Sequence, residues 1–271
     1  MYEILRNREV IKIIGLDSVK FLQNLVTNDI CKSSYCYTYL LNNQGRYLFD
    51  FFVYVHNLEE IYLDIDKISK SALIDHLNFY KFRSKIQIID CSEEYKVVYS
   101  HQSLDIDSLV TARDPRYAKL GFRSIVCHSH PLCHSRVGGN PIYLEDKYNF
   151  AIIDGVEDLT FDKSIPVLYG AEELNGVSYD KGCYVGQEVI SRAKYQGVIR
   201  RKIYKITAEK DLTSLIKEEE IFADNDKIGV ICSCYKNKAI ALIREEKYLA
   251  GKEANITVKG ISLELSLAPW Y

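Results

Sequence analysis

Asn42-Asn43-Gln44-Gly45 sits between two apolar runs, residues 35–41 and 47–55, and no other stretch narrows the possible folds as much. Asparagine and glycine supply the backbone a tight reversal needs, so the runs are expected to pair as a β-hairpin. The second run, Tyr47-Leu48-Phe49-Asp50-Phe51-Phe52-Val53, holds a single acid. A carboxylate in such a strand lies at a sheet edge or is held toward a cavity, and both readings stay open for Asp50. Around the hairpin, residues 10–14 read as a strand ended by Gly15. Asp17 or Ser18 can cap a helix over 19–26, because Phe21, Leu22 and Leu25 recur at helical spacing. Further strands are expected at 61–65, 86–89 and 97–100, with a helix after Ser69. Beyond Gly197 the pattern turns to short strands alone, at 199–206, 227–234, 238–243, 256–258 and 261–265. Such a series suits a small β-barrel, which divides the chain into residues 1–197, of mixed α+β class, and residues 198–271.

A chain of 271 residues can bury a substantial core. A formal net charge of −2 argues against a dedicated nucleic-acid binder, and no apolar run is long enough to span a bilayer. Residues 1–10 show neither an apolar signal core nor an arginine-rich presequence, which points to the cytoplasm. The eight cysteines lack the spacing of a disulfide framework and read as reduced thiols. Residues 125–142 read as an inserted surface loop, tolerated cheaply. Cys127-His128-x-His130-x-x-Cys133-His134 offers zinc donors there, but so tightly spaced that one tetrahedral site would be strained. No metal site is expected in this chain.

The chemistry concentrates in residues 178–197, Ser-Tyr-Asp-Lys-Gly-Cys-Tyr-Val-Gly-Gln-Glu-Val-Ile-Ser-Arg-Ala-Lys-Tyr-Gln-Gly. Lys181, Gly182, Cys183 and Tyr184 place a thiol beside a cation in a turn. Gly186 releases the chain into a helix from Gln187 to about Lys194, and Gly197 supplies a stop. A thiol near both a lysine and a helix N-terminus is expected to favour thiolate, the form that attacks electrophiles and binds soft metals. The plainer reading makes Cys183 a small buried apolar residue in a glycine-shaped turn.

Lys181-Gly182-Cys183-Tyr184-x-Gly186-Gln187-Glu188, followed by Arg192, Lys194 and Gly197, resembles the signature of the YgfZ/IBA57 family. Those proteins are folate-binding relatives of the glycine-cleavage aminomethyltransferase, the T-protein, with roles in iron–sulfur cluster assembly and repair. The Tyr80-Lys81-Phe82-Arg83-Ser84 turn and the Asp114-Pro115-Arg116 to Arg123 loop resemble the same family. The resemblance implies a three-lobed ring, with two interwoven α+β units and a C-terminal β-barrel around a central folate site. It implies tetrahydrofolate as ligand, and an iron–sulfur cluster held transiently through Cys183. Lys181, Gly182, Tyr184, Gly186, Gln187, Glu188 and Arg192 would line the binding region. Asp50 would be the surviving acid of a pair that acts on folate in the transferases, with Phe49 in place of the other. That loss favours an accessory protein for iron–sulfur enzymes, tRNA-modifying ones among them, over an active aminomethyltransferase. Its partners would be assembly proteins and client enzymes, with no direct nucleic-acid or membrane contact. Arg116 and Arg123 are more simply structural ion-pair partners than ligand contacts.

Overall fold

The computed structural model describes residues 2–130, 141–195, 200–250 and 254–271. Its centre is a five-stranded antiparallel sheet ordered Tyr35–Leu41, Tyr47–Asn57, Glu60–Asp66, Arg8–Ile14 and Gln87–Asp90. The 42–46 turn closes the hairpin as its residues dictate, with Asn42 Oδ1 accepting from the backbone N–H of Gln44 and of Arg46. The 47–57 strand has neighbours on both sides, so Asp50 is not at an edge. Period-two alternation then decides its direction. Phe49, Phe51 and Val53 pack in the core beneath helices α1 (Ser18–Gln23) and α2 (Lys70–Lys81). Asp50 and Phe52 face the opposite way, toward the rest of the molecule.

Helix α1 is shorter than its apolar spacing predicts. Val26 forms a bridge with Leu40 and Thr27 N–H donates to the Tyr39 carbonyl, so the sheet edge captures the chain before the last turn can form. Three carbonyls near this end, those of Gln23, Val26 and Asn28, are left for another donor.

A second, four-stranded sheet runs Tyr2–Ile4, Tyr95–Ser100, Phe122–Cys127 and Val110–Arg113. The chain thus starts in one sheet, builds the other, and returns, which interweaves the two units. Arg123, expected in a loop, lies within the Phe122–Cys127 strand. Its alternation there was hidden because Arg123 and Ser124 are buried polar residues. The expected insertion at 125–142 is also corrected at both ends. Residues 125–127 are strand and pair with Tyr95, Lys96 and Val97, while helix α3 (Pro141–Phe150) begins at 141. Cys133 and His134 lie outside the described residues, as does Gly197. After α3 come the short helix α4 (Gly155–Asp158), helix α5 (Gln187–Tyr195) and, late in the third unit, α6 (Glu245–Ala250).

The third unit is a seven-stranded sheet from Arg201 to Leu267, wrapped around its own core of Ile206, Ile221, Ile231 and Ile243. Its edges are the consecutive pieces Ile261–Ser262 and Glu264–Leu267, one paired with Ile256–Val258 and the other with Arg201–Thr207. One bent segment therefore occupies both edges and closes the sheet into a barrel, removing the exposed edge an open sheet would present. Trp270 Nε1 then donates to the Ala151 carbonyl at 3.2 Å and ties the barrel to the first units.

Candidate functional site: an exposed cysteine loop beside a filled crevice

The loop before α5 is pinned at two points and open between them. Lys181 is buried, and its ammonium donates to the carbonyls of Gln23 (2.6 Å), Val26 (2.5 Å) and Asn28 (2.9 Å). These acceptors lie at the end of α1 and in the turn that follows it. Burial draws the Lys181 ammonium down to about 8, with Asp29 opposing the shift. At the other end Gly186 takes φ +83° and lies against the hairpin turn. A Cβ there would stand 2.6 Å from the Asn42 carbonyl oxygen and 3.0 Å from Gly45 Cα. Only glycine satisfies both the dihedral and the approach.

Between these pins Gly182 and Cys183 are exposed. A Cβ added to Gly182 would meet nothing within 4 Å. The fold therefore sets no requirement for glycine at that position, and bare space adjoins the thiol. Tyr184 is buried, and the Lys181 ammonium lies 5.1 Å from its ring centroid.

Several expectations for this stretch need correction. The Lys181 ammonium is aimed inward at the three carbonyls rather than at Cys183, its neighbour in sequence. Glu188 and Arg192 pair with each other on the exposed face of α5 at 2.6 Å, an i,i+4 contact that turns both away from any pocket. Gln187 begins α5 and is half-buried. Nor is Cys183 alone in its exposure, since Cys31 and Cys127 are also exposed.

Asp50 lies elsewhere. Tyr37 and Tyr47 each donate a phenol O–H to one of its oxygens at 2.8 Å, and Gly155 covers it so closely that a Cβ would stand 1.9 Å from Oδ1. About five residues of strand, ~16 Å, separate it from the hairpin turn that Gly186 touches. The polar partners of its two oxygens are these phenols, and Cys183 is not among them.

Beside Asp50 runs a chain of buried charges that sequence reasoning recovered only in part. Asp64 accepts from Arg8 Nε at 2.6 Å and from Arg123 Nη2 at 2.7 Å. Arg116 reaches Asp114 at 2.7 Å and Asp154 at 2.6 Å. Lys147 follows with Asp158 at 3.0 Å and Glu157 at 2.5 Å. Burial opposes the charge on Asp64, but Arg123 and Arg8 outweigh it and hold its carboxyl below the usual range. Three guanidinium carbons stand around Phe52, at 4.1 Å for Arg123, 4.9 Å for Arg116 and 5.6 Å for Arg8. Arg116 and Arg123 were legible as ion-pair residues. Arg8, Asp64 and Lys147 were missed, though Asp64 and Asp66 alternate within an apolar strand and so share one face.

The crevice left among Arg8, Asp50, Phe52, Arg123 and Tyr143 holds about 10 Å³, room for roughly one water. Asp50 already has both oxygens engaged. A pteridine ring does not fit this arrangement, and the residues expected to bind it lie on the loop and on α5 instead. Among the described residues, no three His, Cys, Asp or Glu side chains gather as a metal site.

Residues 200–271 match the family model described as the CAF17 C-terminal beta-barrel domain. Over 272 aligned residues the chain is 30% identical to the mitochondrial iron-sulfur cluster assembly factor IBA57 homolog of Dictyostelium discoideum, covering 82% of this chain and 66% of that protein. It is 29% identical to the mitochondrial iron-sulfur cluster assembly factor IBA57 of Homo sapiens, covering 74% and 65%. The chain thus spans a little under two thirds of these relatives. Its fold is similar to that of the glycine cleavage system aminomethyltransferase T from Bartonella henselae, with a TM-score of 0.69 at 15% identity, over 100% of this chain and 86% of that one. The curated relatives are mitochondrial by name, which overturns the cytoplasmic expectation drawn from residues 1–10.

Proposed function

The chain belongs to the IBA57/YgfZ-type family, related in fold to the glycine-cleavage T-protein, and on that premise we propose that it is an iron–sulfur cluster assembly factor whose working group is Cys183. What carries the reading is the geometry of the loop. A thiol stands exposed beside an unobstructed glycine, while Lys181 and Gly186 fix the loop from behind. A cysteine thiolate is the usual ligand of iron in such clusters, and four ligands are the norm. One exposed cysteine supplies one of them, so a cluster at Cys183 is cargo shared with a partner that brings the rest. The names of the curated relatives support the class of work.

In its narrower form, with tRNA-modifying enzymes among the clients, the proposal rests on the signature residues alone. Tetrahydrofolate forms no part of it, because the crevice beside Asp50 is filled. The alternative, an aminomethyltransferase, would need that crevice and is disfavoured for the same reason.

Replacement of Cys183 by serine tests the proposal. The variant should melt within ~0.5 kcal/mol of the parent, as an exposed position allows, yet fail to restore iron–sulfur enzyme activity in cells lacking the protein. Full rescue by Cys183→Ser would overturn it. Titration with tetrahydrofolate should give no saturable heat, and a saturable isotherm would return folate to the reading.

A further inference from the structure

A groove of about 410 Å³ lies between α1 and the turn that follows α2. Its floor is apolar, formed by the buried side chains of Phe21 and Leu25. Its rim is basic and aromatic. Phe82, 85% exposed, and Tyr80, also on the surface, line it. Lys20, Lys81 and Arg83 line it too, against a single acid, Asp17, whose carboxylate accepts from the Lys85 backbone N–H at 2.8 Å. None of these three cations takes part in an ion pair among the described residues.

Phe82 has the further distinction of a φ of +37°. A bulky side chain in that region costs of order 1–3 kcal/mol and persists where something else holds it. Here the result is a solvent-facing aromatic ring, with the Arg83 guanidinium carbon 5.3 Å from its centroid. Neither burial nor a hydrogen bond of the ring explains the strain.

The groove shares α1 with the cysteine loop. Asn24 lines it, and the carbonyl of the preceding residue, Gln23, accepts from Lys181. Its near end therefore adjoins the anchor of the loop that carries Gly182 and Cys183.

We propose that this groove receives an acidic, apolar-rich segment of the partner protein whose cluster meets Cys183. The proposal rests on the cluster-assembly reading above for the partner's identity, and on charge and shape for the segment. Three unpaired cations against one acid make a basic spot of short reach in a chain of net charge −2. A planar anionic membrane or a long nucleic acid calls for an extended basic face. A short acidic segment matches the spot itself. Its apolar side chains would cover Phe21, Leu25 and the exposed rings, and its carboxylates would steer the approach.

The test uses the full chain and a fluorescein-labelled peptide of alternating glutamate and leucine. It should bind saturably and weaken as salt is raised, since exposed charges are screened over about 10 Å at 0.1 M. Arg83→Glu should weaken it about tenfold. Phe82→Gly should also weaken it while holding or raising the melting temperature, because glycine relieves the strained φ. That pairing separates lost contact from lost fold. Cys183→Ser should bind the peptide normally. Equal binding of a control peptide with glutamine in place of each glutamate, tighter binding of phosphatidylglycerol vesicles or of polyuridine, or unchanged affinity in both groove variants would each overturn the proposal. Groove variants that lose the peptide yet restore iron–sulfur enzymes fully would also overturn it and leave the cysteine reading standing. Rescue by Cys183→Ser together with peptide binding that fails in the groove variants would do the reverse.

Discussion

The cysteine loop and the crevice beside Asp50 differ in how each uses charge. In the loop one cation, Lys181, is turned inward to hold backbone carbonyls, and the Cys183 thiol is left in the open. In the crevice, cations and carboxylates neutralise one another, the phenols of Tyr37 and Tyr47 satisfy Asp50, and little volume remains. The first arrangement leaves a side chain in solvent on a fixed loop. The second stiffens a junction between units, because a buried pair tolerates little displacement before it costs several kcal/mol.

The largest effect should come from breaking the crevice. Arg123→Ala leaves Asp64 and Asp114 short of a buried partner and should destabilise the protein by about 3–5 kcal/mol in denaturant unfolding. A loss under ~1 kcal/mol would mean that water reaches the network and that the interior is looser than its contacts imply.

Gly186→Ala comes next, at about 2–3 kcal/mol, because it combines a positive φ with a close backbone contact. Thermal melts would read it, and an unchanged melting temperature would show that the hairpin turn and loop are not clamped.

Lys181→Met should cost about 1–3 kcal/mol near neutral pH by orphaning buried carbonyls. Its pH dependence is more telling. The folded ammonium titrates near 8, below its value in an unfolded chain, about 10.4. Between roughly pH 8 and 10 the unfolded state holds the proton that the native state has released. The parent should therefore gain stability relative to Lys181→Met as pH rises through that window. A flat difference would place the ammonium in water.

The smallest effect on stability should be that of Gly182→Ala, within ~0.5 kcal/mol, since nothing surrounds the added methyl. Iron–sulfur rescue in cells should nevertheless fall if a partner's backbone approaches there, and unimpaired rescue would leave that glycine without a purpose.

Much of this was legible in the residues because local rules and tertiary packing agree. The 42–45 reversal, the strands flanking it and the strand-rich last third follow from turn chemistry and alternation, and the structure keeps all of them. The signature located the exposed thiol. It misled about Lys181, since proximity in sequence says nothing of where a long side chain points once carbonyls behind it lack donors. Those carbonyls exist only because strand 35–41 draws the chain off α1, a long-range event that helical spacing does not register. The charge network was half hidden for a related reason. Arg8, Asp64 and Asp114 come from separate stretches, and each alone looks like a surface residue. Residues 80–84 were legible only as a turn, because nothing in the sequence announces that Phe82 remains outside.

The bent segment 261–267 sets an order of events. A ribosome that has released the chain only as far as residue 250 has made four strands of the third unit, yet neither rim of that sheet has its final neighbour. Until the next stretch emerges, the seam stays unzipped and its unpaired amides face whatever is nearby. The third unit thus stays open to wrong pairing until residues 256–267 have left the ribosome and covered both rims.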